Sequence, residues 1–129
     1  HDMLRHETAF ANGPYNVSEY GTISDPAQFK ATLAYSALQN VQPQAAYPAV
    51  LMTTGANDPR VAPWQSRKFT AALQNATSST QPILLLTRMN AGHGIGAPFS
   101  QRVGDTAIGL TFFAQELGLG LGLGLGSTP

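Results

Sequence analysis

The sequence predicts an α/β chain: the edge of a parallel sheet with flanking helices. Three observations carry that prediction. Two short, nearly continuous apolar runs, Pro48–Gly55 and Pro82–Thr87, have the length and composition of buried strands. Helix signals lie before, between and after them. Strands joined by a helical crossover run parallel and need cover on both faces.

The first 24 residues read as loop, rich in turn formers such as Asn12-Gly13-Pro14, apart from a short helical turn near Asp2–Glu7. A helix should then run from Pro26 to about Leu38. Asp25 can cap it, Pro26 suits its first position, and Phe29 and Leu33 share a face. Asn40 to Pro48 is a connection with two prolines, and the first strand follows it. Ala56-Asn57-Asp58-Pro59-Arg60-Val61 forms a loop. Pro63 opens a second helix, with Phe69, Leu73 and Ala76 on one face; Ser66 should sit solvated within it, and Trp64 should serve packing. After the second strand, Asn90 to Pro98 is a glycine-rich loop. The last helix covers Ser100 to Leu117 with the stripe Val103, Ala107, Leu110, Ala114 and Leu117. Its two glycines, Gly104 and Gly109, weaken it by about 1 kcal/mol each relative to alanine.

Two strands are fewer than the four to six usual in a sheet, so the chain reads as one edge of a larger one, with further strands upstream. The ends agree with a fragment. The chain starts at His1, and the Leu-Gly alternation of residues 118–129 reads as a low-complexity tail outside the fold. The domain assignment is therefore 1–117 for a partial α/β domain and 118–129 for the tail.

Composition excludes several functions. Seven Lys+Arg balance seven Asp+Glu, so the basic footprint of a nucleic-acid binder is absent. No apolar run is long enough to span a bilayer, and no polybasic segment suggests a membrane surface. Cysteine is absent, which removes disulfides, zinc-thiolate sites and a Cys nucleophile. His1, Asp2 and His6 match no metal motif and read as a tag scar or surface cluster. No cofactor and no metal is expected. The compartment stays open.

Functional groups of open α/β sheets sit on loops at the carboxyl ends of the strands. Asp58 follows the first strand by three residues, and His93 lies in the loop after the second. An Asp and a His brought together there suit the orienting acid and general base of a nucleophilic triad. The bland alternatives are a turn-forming Asp before Pro and a surface His. In α/β-hydrolases the order is Ser, Asp, His, which puts the nucleophile upstream. No Gly-x-Ser-x-Gly occurs in the 129 residues; Ser18, Ser24 and Ser36 read as turn or cap hydroxyls.

The segments Tyr47–Val61, Trp64-Gln65-Ser66, Lys68-Phe69 and Ala91-Gly92-His93-Gly94-Ile95-Gly96 resemble the C-terminal catalytic region of prolyl oligopeptidases. Asp2-Met3-Leu4-Arg5, Ala11–Pro14 and Glu19–Thr22 are similar to the stretch that follows the nucleophile strand there. The resemblance covers roughly residues 2–117. It implies the C-terminal portion of an α/β-hydrolase fold, with Asp58 as triad acid and His93 as base. It implies that Arg60 holds a backbone carbonyl of the bound peptide. It also implies a short peptide substrate, an N-terminal part of the catalytic domain carrying the nucleophile and oxyanion donor, and a covering β-propeller. The Trp that well-known members place ahead of a Tyr-Gly pair has no counterpart before Tyr20-Gly21, which leaves Tyr15 or Tyr20 for that pocket. Two alternatives remain at this level: an esterase of the same fold, and a truncated, non-catalytic module that associates through its sheet edge.

Overall fold

The computed structural model describes residues 1–94 and 97–120. It divides into two units, His1–Gly96 and Ala97–Pro129. The first contains helices α1 (His6–Ala9), α2 (Val17–Tyr20), α3 (Pro26–Tyr35) and α4 (Trp64–Ala76), and strands β1 (Val50–Gly55) and β2 (Ile83–Arg88). The second contains α5 (Phe99–Glu116). No described helix is long and apolar enough to cross a membrane.

β1 and β2 pair in parallel, with Val50 opposite Ile83 and Gly55 opposite Arg88. α4 supplies the crossover between them. The expected α/β arrangement is therefore present, with both strand ends opening on the same edge. The strands are less buried than their apolar runs predict. Thr54, Gly55 and Ile83 are buried, whereas Leu84 is 47% exposed. Among the described residues the sheet is this pair of strands, and α4 packs against both of them.

Helix starts follow the local chemistry. The Asp25 side chain accepts from the Gln28 N–H at 2.8 Å, satisfying a donor that the first turn of α3 leaves free. α3 ends at Tyr35, three residues before the expected Leu38. There Ser36 turns extended, and Asn40 donates its side-chain N–H to the Leu33 and Ser36 carbonyls. Phe29 and Leu33 are not its buried face, being 38% and 37% exposed; Thr32 is buried instead. The loop expected before Ser24 also contains regular turns. The helical turn expected near Asp2–Glu7 is present as a 3-10 turn, Met3–Arg5, followed by α1, and a further 3-10 turn at Gly13–Asn16 runs into α2. Gly13 permits this fold-back, because a Cβ there would lie 2.2 Å from the His6 carbonyl oxygen.

α4 buries Leu73 and Ala76 as expected, but Gln65, Ser66 and Thr70 share the buried face. Ser66 is thus not solvated: it is 8% exposed. Gln65 meets a polar partner, the N-terminal segment, and the Thr70 hydroxyl donates to the Ser66 carbonyl at 2.8 Å. Asp2 is 1% exposed, not part of a surface cluster or a tag scar. Its amide donates to Gln65 Oε1 at 2.6 Å, and its carbonyl accepts from Gln65 Nε2 at 3.1 Å. Its carboxylate accepts from Gln39 Nε2 at 2.9 Å and pairs with Lys68. His1 stacks on Phe69 with centroids 4.5 Å apart. Trp64 packs on Phe10, and the Lys68 ammonium lies over its ring, in keeping with the packing role expected of it.

Burial pushes the Asp2 carboxyl up, but the hydrogen bonds from Lys68 and Gln39 and the charges of Lys68 and Arg5 outweigh it. The net direction is downward. Asp2 therefore contributes stability that is complete above the ordinary carboxylate range and is lost as pH falls through the lowered folded value. Asp2→Ala is expected to cost about 2 kcal/mol, the scale of a charge-assisted hydrogen-bond set with one partly solvated member. Urea unfolding should show the loss near neutral pH, and the difference from wild type should shrink in acid.

α5 begins at Phe99 and ends at Glu116, one residue from each expected bound. Its stripe is uncovered except at Ala114: Val103, Leu110 and Leu117 are 51%, 62% and 67% exposed. Most of the Leu-Gly tail, residues 121–129, lies outside the described residues, as do Ile95 and Gly96 of the glycine-rich loop.

Candidate active site

The site forms where β1 and β2 end. A parallel pair delivers both following loops to one edge, so residues 35 apart in sequence meet. Asp58 Oδ2 lies 2.8 Å from His93 Nδ1. The other carboxylate oxygen, Oδ1, accepts the backbone N–H groups of Arg60 at 2.9 Å and Val61 at 2.8 Å. Asp58 thus serves as the turn former and as the His partner at once, one oxygen for each task. The turn fixes the carboxylate in the direction of the ring.

The charge state follows from these contacts. Burial pushes the Asp58 carboxyl up, but the Val61 N–H, the His93 ring and the Arg60 N–H outweigh it, with a further contribution from the His93 charge. The carboxyl is held below the ordinary carboxylate range. Near neutral pH it is an anion and accepts only. Nδ1 must then carry the proton of a neutral His93 ring, which leaves the Nε2 lone pair free to act as a base. The Asp58 side chain is 9% exposed and the His93 side chain 40%, so the carboxylate is shielded and the ring is accessible.

Glycine lets the two loops touch. A Cβ on Gly55 would lie 2.3 Å from the Gly92 carbonyl oxygen and 2.5 Å from that of Ala91. Only the bare backbone of Gly55 fits beneath the turn leading to His93. That turn closes around the ring-bearing residue, with the Gly94 N–H on the Gly92 carbonyl at 2.9 Å and Gly94 at φ +76°. The Ala56 and Asn57 amides donate across to the carbonyls of Arg88 and Ala91 at 2.9 and 3.1 Å.

A cleft of about 260 Å³ opens beside the pair, lined also by Thr54, Val61, Ser66 and Arg88. Ser66, Arg88 and Asn57 were not singled out from the sequence as site residues. The order of elements places the end of β2 at this edge, which is the signal that points to Arg88; nothing local marks Ser66. Arg60 is tied to the site by its backbone, and its side chain is exposed. Tyr15 and Tyr20 are 82% and 42% exposed and do not line this cleft. Ser36 is fully buried, where its hydroxyl accepts from the Met3 N–H at 2.9 Å, away from the pair. Among the described residues no group of three His, Asp or Glu side chains is placed to hold a metal.

Comparison with known proteins agrees with the architecture. The chain is 38% identical over 121 residues to a prolyl endopeptidase of Elizabethkingia meningoseptica, covering 92% of this chain and 17% of that protein. It is 38% identical over 120 residues to the dual-function macrocyclase-peptidase of Galerina marginata, covering 92% and 16%. Among solved structures, one from a study of two prolyl endopeptidases superposes with a TM-score of 0.86 at 36% identity, over 92% of this chain and 17% of that one. Prolyl oligopeptidase B of Galerina marginata, bound to a 25-residue macrocyclization substrate, gives a TM-score of 0.84 at 35% identity, over 93% and 17%. The chain therefore spans about one sixth of the length of these relatives, and its strand pair and helices are a portion of their α/β-hydrolase catalytic fold. The model of the prolyl oligopeptidase family matches residues 1–120, and the chain belongs to that family.

Proposed function

We propose that this chain is a C-terminal portion of a serine-type oligopeptidase, and that it contributes the acid and base of the catalytic triad. The observation that carries the reading is the 2.8 Å contact between His93 Nδ1 and an Asp58 carboxylate whose second oxygen is locked by two backbone amides. In this reading His93 Nε2 takes the proton from a serine hydroxyl as its oxygen attacks the carbonyl carbon of a peptide bond. Asp58 holds the tautomer and stabilises the imidazolium. His93 then gives the proton to the leaving amine. Water enters next and attacks the acyl carbon as the same nitrogen takes its proton; Nε2 then returns that proton to the serine oxygen as the acid product leaves. Arg60 holds a backbone carbonyl of the peptide with its guanidinium fork, a role that suits its exposed side chain.

The nucleophile and its oxyanion donor come from a different stretch of polypeptide in this reading, the N-terminal part of the catalytic domain. Residues 1–117 are the portion present here. A β-propeller that restricts entry to short peptides completes the enzyme. Family membership and names such as prolyl endopeptidase among the relatives support peptides over esters as substrates.

The isolated chain is accordingly expected to leave short fluorogenic peptides uncleaved. Peptidase activity of the purified chain that a serine-directed phosphonate abolishes would overturn the division of labour. Addition of a nucleophile-bearing remainder of the catalytic domain is expected to yield peptidase activity that His93→Ala abolishes.

A further inference from the structure

The residue before Asp58 reaches across to the His93 loop. Asn57 Nδ2 donates to the Met89 carbonyl at 3.0 Å, over 32 residues of sequence. Its backbone N–H donates to the Ala91 carbonyl at 3.1 Å. One residue thus grips both ends of the three-residue stretch 89–91 that leads from β2 towards His93. A local turn former would bond its own neighbours; Asn57 bonds the opposite loop. The stretch it grips is also the one that Gly55 touches from below.

We propose that Asn57 is a positioning residue, which clamps the Asp58 loop to the turn before His93 and so sets the approach of carboxylate to imidazole. The inference rests on the acid–base reading of Asp58 and His93 but goes beyond it. Asp58 is fixed by the Arg60 and Val61 amides on its C-terminal side. His93 needs its own anchor to the same frame. The backbone bonds of Ala56 and Asn57 hold Arg88 and Ala91, and the Asn57 side chain takes the carbonyl between them in the chain. Without it, Met89 and Asn90, both exposed, lose their tie to the Asp58 loop. The turn can then lift, and Nδ1 moves away from Oδ2.

The test is the exchange of the His93 Nδ1 proton with water, followed by NMR on the full 129-residue chain labelled with ¹⁵N. Wild type should show a downfield Nδ1–H, protected by Asp58. Asn57→Leu keeps similar bulk and removes the donor. It should speed exchange of that proton about fivefold, the ratio set by one net hydrogen bond. Asn57→Ser, which restores a donor, should recover part of the protection. A purely structural role would shift the urea midpoint and leave this proton's exchange in the folded chain unchanged.

Asp58→Asn separates the two claims. If it removes the protected proton while both Asn57 variants leave exchange at the wild-type rate, the clamp is refuted and the acid–base pair stands. If Asp58→Asn leaves the proton protected, the pair reading fails and the clamp with it. Should Asn57→Leu not fold, Asn57→Ser and the exchange of the Asn57 side-chain amide in wild type decide. An unprotected amide there refutes the clamp.

Discussion

Asp58→Asn is expected to lower kcat by about 10⁴-fold in a catalytic domain assembled from this chain and its nucleophile-bearing remainder. That is the loss when the orienting acid of a Ser-His-Asp triad becomes an amide. The cause lies in the hydrogen-bond inventory. The carboxylate only accepts, so it selects the Nδ1–H tautomer of His93. An amide at 58 can turn an N–H toward the ring, which favours the tautomer with its proton on Nε2. His93 then has no lone pair where the serine proton must go. Oδ1 would still accept from Arg60 and Val61, so the loop should keep its shape. The substitution is therefore expected to change kcat far more than KM, which steady-state kinetics on a short peptide would show.

Gly55→Ala should act through the fold instead. The added methyl would sit 2.3 Å from the Gly92 carbonyl oxygen and 2.5 Å from that of Ala91, and both are backbone atoms. No rotamer relieves such a clash. Either β1 or the turn before His93 must shift, at about 3 kcal/mol, the upper part of the range for overpacking. Thermal unfolding should show the loss, and the protected His93 proton should disappear in the fraction that remains folded. Gly104→Ala on α5 is the control: a Cβ there meets nothing within 4 Å, and the helix should gain stability.

Where the chemistry was local, the sequence was legible. Two apolar runs bounded by proline and glycine gave β1 and β2 within two residues. Asp25-Pro26 gave the start of α3 and Pro63 the start of α4. Loop position alone brought Asp58 and His93 to one edge, since any parallel pair delivers its following loops there. Burial that depends on distant partners was not legible. Asp2 is buried because Gln39, Gln65 and Lys68 converge on it from elements 37 to 66 residues away. A charged residue one position from the chain start gives no sign of that. Ser66 reads as solvated from its place within a helix, yet it is buried and lines the cleft, because α4 packs that turn against the strand ends. Asn57 looked like one turn former among several, and its reach to Met89 exists only in three dimensions. The turns between Gly13 and Tyr20 are four residues each, too short for a periodic signal.

The most direct measurement is the rate at which a fluorophosphonate labels the serine of the complementing polypeptide in the presence of this chain. The probe reacts only with an activated hydroxyl, so it reports the base and its orienting acid without peptide binding. Labelling is expected to require this chain, to collapse in His93→Ala and to fall steeply in Asp58→Asn. Labelling at the same rate with either variant would mean that the base comes from elsewhere, and Asp58 and His93 would be a structural pair at the edge of the sheet.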